Sequence, residues 1–223
     1  MLTRHHHDLT YLEYATPKLS HDAPLLIMLH GYGSNEKDLI SLASMLPDNL
    51  RIVSARAPQM LAPEMYAWFP LEFVPNGIIA DEAAANDARV QFIGFVHDVL
   101  ETYKPAGNKA FLMGFSQGAV MSYMTAFTAP QLLHGVVACS GRLPEKTLPT
   151  ENSDASWCQL PFLVMHGTYD DVISIDKGRE AQRWLQERAR DVTYREYPMA
   201  HQICEDEIAL IDSWLKQRMT TLS

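Results

Sequence analysis

Leu112-Met113-Gly114-Phe115-Ser116-Gln117-Gly118-Ala119 places a serine between two glycines, after an apolar run and before a helical pattern. The run from Lys109 to Met113 predicts a buried strand, and Gln117 to Phe127 predicts a helix that ends before Pro130. Gly-x-Ser-x-Gly at a strand-to-helix turn is the signature of a nucleophile elbow. A glycine two residues either side of the serine lets the backbone cross itself closely. The sharp corner then presents the Ser116 hydroxyl beyond the sheet, at a helix N-terminus whose free N–H groups favour negative charge. The pentapeptide alone recurs by chance in many proteins. The flanking elements and the residues downstream separate this one from chance.

Outward from the elbow, apolar runs alternate with helical patterns. Leu25 to Leu29 is apolar throughout, as expected of a central parallel strand covered on both faces. Further strands are expected at Arg51 to Ala55, Gly135 to Cys139 and Phe162 to Met165. Val192 to Tyr197 alternates and is expected nearer an edge, and Tyr11 to Ala15 adds an antiparallel strand. Helices are expected over Glu36 to Leu46 behind Ser34 or Asn35, and over Glu82 to Tyr103 behind Asp81. Two more are expected over Asp176 to Arg190 and Glu205 to Met219. This alternation predicts an α/β fold, a mostly parallel central sheet with helices on both faces, and a single domain over 1–223. Ala57 to Ala80 and Arg142 to Gln159 show no period, and long irregular segments in compact domains are often functional. Trp68, Phe69, Leu71 and Phe73 are many large apolar groups for an idle loop. They are expected to form a substrate wall, against the alternative of burial over the sheet edge, and for Trp68 the further alternative is packing under the loop as a structural anchor.

Composition narrows the partners. The 223 residues carry 27 acidic and 18 basic side chains, a formal net charge of −9, with no Lys/Arg block to bind nucleic acid. Three cysteines without a C-x-x-C make no disulfide framework and suit a reducing compartment. No apolar stretch approaches the roughly 20 residues of a membrane span, and no signal-peptide core is evident. A soluble, cytoplasmic protein with no stable membrane insertion is expected. His5-His6-His7 has no spaced ligand partners, so residues 1–8 read as a disordered terminus and no metal site is expected.

A serine hydroxyl needs a base, and the base needs a carboxylate to orient it. In a parallel sheet these lie at the carboxyl ends of strands. Phe162 to Met165 leads into His166-Gly167-Thr168-Tyr169-Asp170-Asp171, and Val192 to Tyr197 leads into Pro198-Met199-Ala200-His201. The order Ser, Asp, His is that of an α/β-hydrolase. His201 stands on a short loop with no packing task and is the expected base. His30 and His166, each ending a strand before a glycine, are expected to brace loops. Asp170 and Asp171 are adjacent, and spacing does not choose between them. An oxyanion hole needs two backbone donors. The N–H of Gln117 supplies one, and that of Tyr32, in His30-Gly31-Tyr32-Gly33, is expected to supply the other.

Leu29-His30-Gly31-Tyr32-Gly33, Gly114-Phe115-Ser116-Gln117-Gly118-Ala119, His166-Gly167-x-x-Asp170 and His201 together resemble the phospholipase/carboxylesterase family of α/β-hydrolases. That family includes acyl-protein thioesterases and small bacterial carboxylesterases. The resemblance covers roughly residues 20 to 218, and Trp68-Phe69 matches a Trp-Phe pair of the family. It implies Ser116 as nucleophile, Asp170 as acid, His201 as base, and Tyr32 and Gln117 as oxyanion donors, with no metal or organic cofactor. Tyr32 stands where relatives often have Leu, Pro70 where an Asp commonly follows the Trp-Phe pair, and Asp171 where Pro often follows the acid. The expected activity is hydrolysis of carboxylic esters, including thioesters, through an acyl-enzyme. The expected partner is a small-molecule acyl ester. An acylated protein or lysophospholipid substrate, a homodimer and a non-catalytic binding module on the same scaffold are the alternatives.

Overall fold

A computed structural model describes residues 2–6, 9–17, 19–75, 77–150 and 155–222. Its centre is an eight-stranded sheet. In spatial order the strands are β1 (Leu2–His6), β2 (Leu9–Tyr14), β4 (Arg51–Ala55), β3 (Leu25–Leu29), β9 (Ala110–Phe115), β10 (Leu133–Cys139), β11 (Pro161–Gly167) and β12 (Asp191–Tyr197). β2 runs antiparallel to β1 and β4, and every pairing from β4 to β12 is parallel. This is the α/β-hydrolase fold, with its largely parallel sheet flanked by helices on both faces.

The continuous apolar strands are explained by what covers them. Leu25, Ile27 and Leu29 point into one core with α1 (Glu82–Tyr103), α2 (Gln117–Thr128) and α3 (Ile175–Gln186). Leu26 and Met28 point into the other, against α4 (Glu205–Met219) and a short 3-10 helix, Leu39–Met45. Successive strand side chains alternate faces, so a strand covered on both sides has no polar face to show. α1 starts where expected, with the Asp81 carboxylate accepting the Ala84 N–H at 3.0 Å. It closes at Lys104 in the left-handed conformation, followed by Pro105.

Four expectations are corrected. The terminus expected to be disordered pairs Leu2–His6 with β2, so main-chain hydrogen bonds cover an edge that β2 would otherwise expose. His7 and Asp8 lie outside the described residues. The helix expected over 36–46 is only the 3-10 segment Leu39–Met45. Glu36 is buried instead, where both its carboxylate oxygens accept from Arg56 at 2.6 Å, and Asp38 accepts from the Ser34 hydroxyl at 2.7 Å. α3 stops at Gln186, not Arg190. The aperiodic segment 57–80 folds into two hairpins, β5 (Gln59–Ala62) with β6 (Met65–Ala67) and β7 (Leu71–Val74) with β8 (Gly77–Ala80). Strands of three or four residues are too short to display an alternating period.

Candidate active site

β9 ends at Phe115 and α2 begins at Gln117, so Ser116 alone makes the turn, with φ 54° and ψ −115°. A positive φ on a serine costs of order 1–3 kcal/mol and persists only where the surroundings over-determine it. Here the Ser116 N–H donates to the Cys139 carbonyl at 2.9 Å, tying the corner to β10. The glycines are required by contact. A Cβ on Gly114 would sit 2.2 Å from the Gly118 carbonyl oxygen, and one on Gly118 would sit 2.0 Å from that of Leu29. The elbow is thus wedged against the end of β3, which brings the His30–Gly33 loop alongside it.

The loops after β11 and β12 bring the other two groups. The Thr168 N–H donates to the Tyr197 carbonyl at 2.8 Å and the Tyr169 N–H to that of Met199 at 3.0 Å, so the two loops are packed together. His201 then lies with Nε2 2.9 Å from the Ser116 Oγ and Nδ1 2.7 Å from the Asp170 Oδ2. The other carboxylate oxygen of Asp170 accepts the N–H groups of Val172 at 3.0 Å and Ile173 at 2.8 Å. Three donors thus converge on one carboxylate that is nearly buried. With Nδ1 donating to Asp170, the Nε2 lone pair faces the serine hydroxyl. Asp171, adjacent in sequence, is exposed.

His30 and His166 brace loops, as expected. His30 accepts the Ala57 N–H on Nε2 at 3.0 Å and donates from Nδ1 to the Gly31 carbonyl at 2.7 Å. His166 donates from Nε2 to the Ile173 carbonyl at 2.7 Å, behind Asp170. Burial lowers the pKa of both below the ordinary histidine value, so both are neutral props.

Ser116 and His201 open into a cavity of about 450 Å³. Tyr32, Gln117, Phe69, Leu71 and Phe73 line it. Ile78 and Ile79 of the second hairpin, Val120 and Met124 of α2, and the segment Arg142–Thr147 also line it and were not anticipated. No sequence period marks the hairpin, and the α2 residues read as ordinary helix core. The phenol ring of Tyr32 meets Phe73 edge-on at 5.6 Å, joining the loop after β3 to the hairpin wall.

Trp68 leaves the expected wall and takes the alternative place of an anchor under the loop. It is not part of the cavity wall but fully buried beneath it. Its indole N–H donates to the His30 carbonyl at 2.9 Å, and its ring meets Phe92 of α1 edge-on at 5.3 Å. Aromatic content told of burial but not of which side the ring would face. The clamp around it went unread too. The Gln117 side chain accepts the Trp68 N–H at 2.9 Å and donates to the Phe69 carbonyl at 2.7 Å, fastening this loop to the start of α2. Trp68→Ala is therefore expected to destabilise the protein by about 3–5 kcal/mol, through a cavity and an orphaned carbonyl. Thermal melting checks this, and a melting temperature equal to the parent's contradicts it.

Behind the His201 loop, Glu207 accepts the Cys204 N–H at 3.2 Å and is buried, with its second carboxylate oxygen unpartnered among the described residues. Burial pushes its pKa up from 4.5 to about 7. A carboxyl whose pKa rises on folding stabilises the fold fully below its unfolded value and loses that contribution as pH rises through about 7. Glu207→Gln keeps an acceptor for Cys204 and removes the charge. It is expected to abolish about 1–3 kcal/mol of the stability lost between about pH 5 and pH 8.5. Melting curves at both pH values check this, and equal losses in parent and variant contradict it.

Comparison with known proteins bears on the family and the fold. The sequence pattern of the family described as Phospholipase/Carboxylesterase matches residues 12–219. A probable carboxylesterase of Oryza sativa subsp. japonica is 28% identical over 158 residues, which cover 69% of this chain and 66% of the rice protein. That match spans a little under two thirds of the relative's length. Acyl-protein thioesterase 1 of Yarrowia lipolytica is 24% identical over 218 residues, 91% of this chain and 94% of that protein. The crystal structure of esterase PE8 superposes with a TM-score of 0.78 at 26% identity, covering 94% of this chain and 99% of that one. Among the described residues no helix is long and apolar enough to cross a membrane, and no group of three or more His, Cys, Asp or Glu side chains is arranged to hold a metal ion.

Proposed function

The chain belongs to the phospholipase/carboxylesterase family, and on that premise we propose that it is a serine carboxylesterase acting through Ser116, His201 and Asp170. The observation that carries this is the hydrogen-bonded file of those three side chains, 2.9 and 2.7 Å long, at the floor of an apolar cavity. His201 Nε2 takes the hydroxyl proton as the Ser116 Oγ attacks the acyl carbonyl. Asp170 holds the imidazole tautomer and stabilises the imidazolium. The Gln117 N–H, at the first turn of α2, has no intrahelical partner and serves the oxyanion. Tyr32 supplies the second N–H. It follows Gly31, where a Cβ would lie 3.3 Å from that of Ser116, so this backbone runs against the nucleophile. His201 then protonates the leaving alcohol, and an incoming water repeats the sequence to release the acid.

The substrate in this reading is a small acyl ester whose chain lies along Phe69, Leu71 and Phe73. A second reading, cleavage of acyl thioesters on proteins, is favoured by the match to acyl-protein thioesterase 1 of Yarrowia lipolytica along nearly its whole length. A series of acetyl, octanoyl and palmitoyl oxygen esters and thioesters tests both. Phe73→Ala is expected to reduce kcat/KM more for octanoyl than for acetyl esters, in steps of about 0.8 kcal/mol per lost methylene contact. A loss uniform across chain length contradicts an acyl wall at Phe73. A steep fall in the parent beyond about four carbons sinks the lipid-thioester reading. Turnover of no ester or thioester at all removes the esterase proposal itself.

A further inference from the structure

The cavity wall is apolar except for a short charged rim of two acidic and two basic side chains, and one of the four is left out of the ion pairs made there. Four charged side chains line it besides the Ser–His pair: Glu82, Arg142, Glu145 and Lys146. Lys146 pairs with Glu82. Glu145 is held at 2.9 Å by Lys177 of α3. Arg142 alone has neither a hydrogen-bond nor an ion-pair partner among the described residues. It is also close to the chemistry. The preceding residue, Gly141, packs so tightly on the elbow that a Cβ there would lie 2.4 Å from that of Ala119 and 3.4 Å from the Ser116 carbonyl oxygen. Arg142 is half-buried and lines the cavity into which Ser116 and His201 open.

We propose that Arg142 selects substrates that carry an anionic group, a carboxylate or a phosphate, within reach of the ester that Ser116 attacks. This rests on the esterase reading of Ser116. A guanidinium stays charged at any working pH and offers a planar fork of donors that fits both anions. Beside an apolar wall the pairing is less screened than in water. The chain as a whole carries −9 and repels anions at long range, so a guanidinium that feels Glu145 only at a distance and makes no direct ion pair among the described residues is a local exception beside the nucleophile. The apolar part of the substrate would lie along Leu71 and Phe73, and the anion would lie toward Arg142.

Two matched pairs of esters test this. The acyl-side pair is p-nitrophenyl valerate against the p-nitrophenyl monoester of glutarate, in which a carboxylate replaces the terminal methyl. The alcohol-side pair is 1-butyrylglycerol against 1-butyrylglycerol 3-phosphate. In each, the quantity read is the ratio of kcat/KM for the anionic over the neutral ester. Arg142→Gln is expected to lower that ratio about tenfold or more in one pair, and Arg142→Lys to keep part of it. The pair that responds identifies the side and the anion. Ratios within about threefold of the parent in both pairs overturn the proposal. The neutral esters, run in the same assays with Ser116→Ala, test the esterase reading separately. Should no ester be turned over, glutarate and glycerol 3-phosphate still read the anion site directly. A rise in melting temperature with either, present in the parent and lost in Arg142→Gln, supports it, and no rise in the parent overturns it.

Discussion

Ser116→Ala is expected to lower kcat/KM on short acyl esters by roughly 10⁵–10⁶-fold, the scale on which a serine hydrolase loses its nucleophile. The hydroxyl makes one side-chain hydrogen bond, to His201, and adds little packing. The strained φ of 54° is set by the backbone wedge of Gly114, Gly118 and Leu29, which the variant keeps. Its melting temperature is therefore expected within about 4 °C of the parent's, since the small, nearly buried hydroxyl gives up one hydrogen bond worth about 1 kcal/mol. Initial rates and melting curves on one preparation check both halves. A variant retaining activity within about tenfold of the parent removes Ser116 from the chemistry.

The second large effect separates two neighbours. Asp170→Asn is expected to cost about 10⁴-fold in kcat, the scale of the worked serine-protease case. An amide that presents its NH₂ to His201 Nδ1 forces the other tautomer, and Nε2 then carries a proton where it must accept one. The two N–H groups of Val172 and Ile173 on the other oxygen hold the side chain in place, so it cannot swing to compensate. Asp171→Asn changes an exposed side chain outside this file and is expected to cost less than about threefold. Parallel kcat measurements on the two variants check this. The reverse order would mean that the neighbouring carboxylate is the functional one.

What could be read from the sequence was what repeats or what sits at a fixed place in a strand-to-loop junction. Leu25 to Leu29 announced a doubly covered strand because both of its faces had to be apolar. The bounds of α1 were legible because Asp81 and Pro105 are local signals of start and stop. Ser116 and His201 were legible as candidates because each lies within four residues of the end of a strand in a fold that gathers strand ends, whereas Asp170 was separated from Asp171 only by the family resemblance. The remainder depends on contacts between distant residues. Nothing local in Glu36 says that Arg56 will draw it inward and cut the following helix to a 3-10 segment. Nothing in Trp68 distinguishes a ring facing the cavity from a ring resting on Phe92. The Gln117 clamp on the Trp68–Phe69 backbone spans about fifty residues of chain, and Arg142 acquires meaning only when its neighbours prove to be paired elsewhere. The hairpins of 57–80 are held by main-chain pairing too short to leave a side-chain pattern.

The nucleophilic role of Ser116 is open to one direct measurement, reaction with a fluorophosphonate followed by intact-mass and peptide mapping. The expected result is one adduct per chain, carried on the peptide containing Ser116, with ester turnover falling in proportion to labelling and no adduct in Ser116→Ala. An unlabelled protein that still turns over esters, or full labelling at another residue with turnover intact, would contradict it.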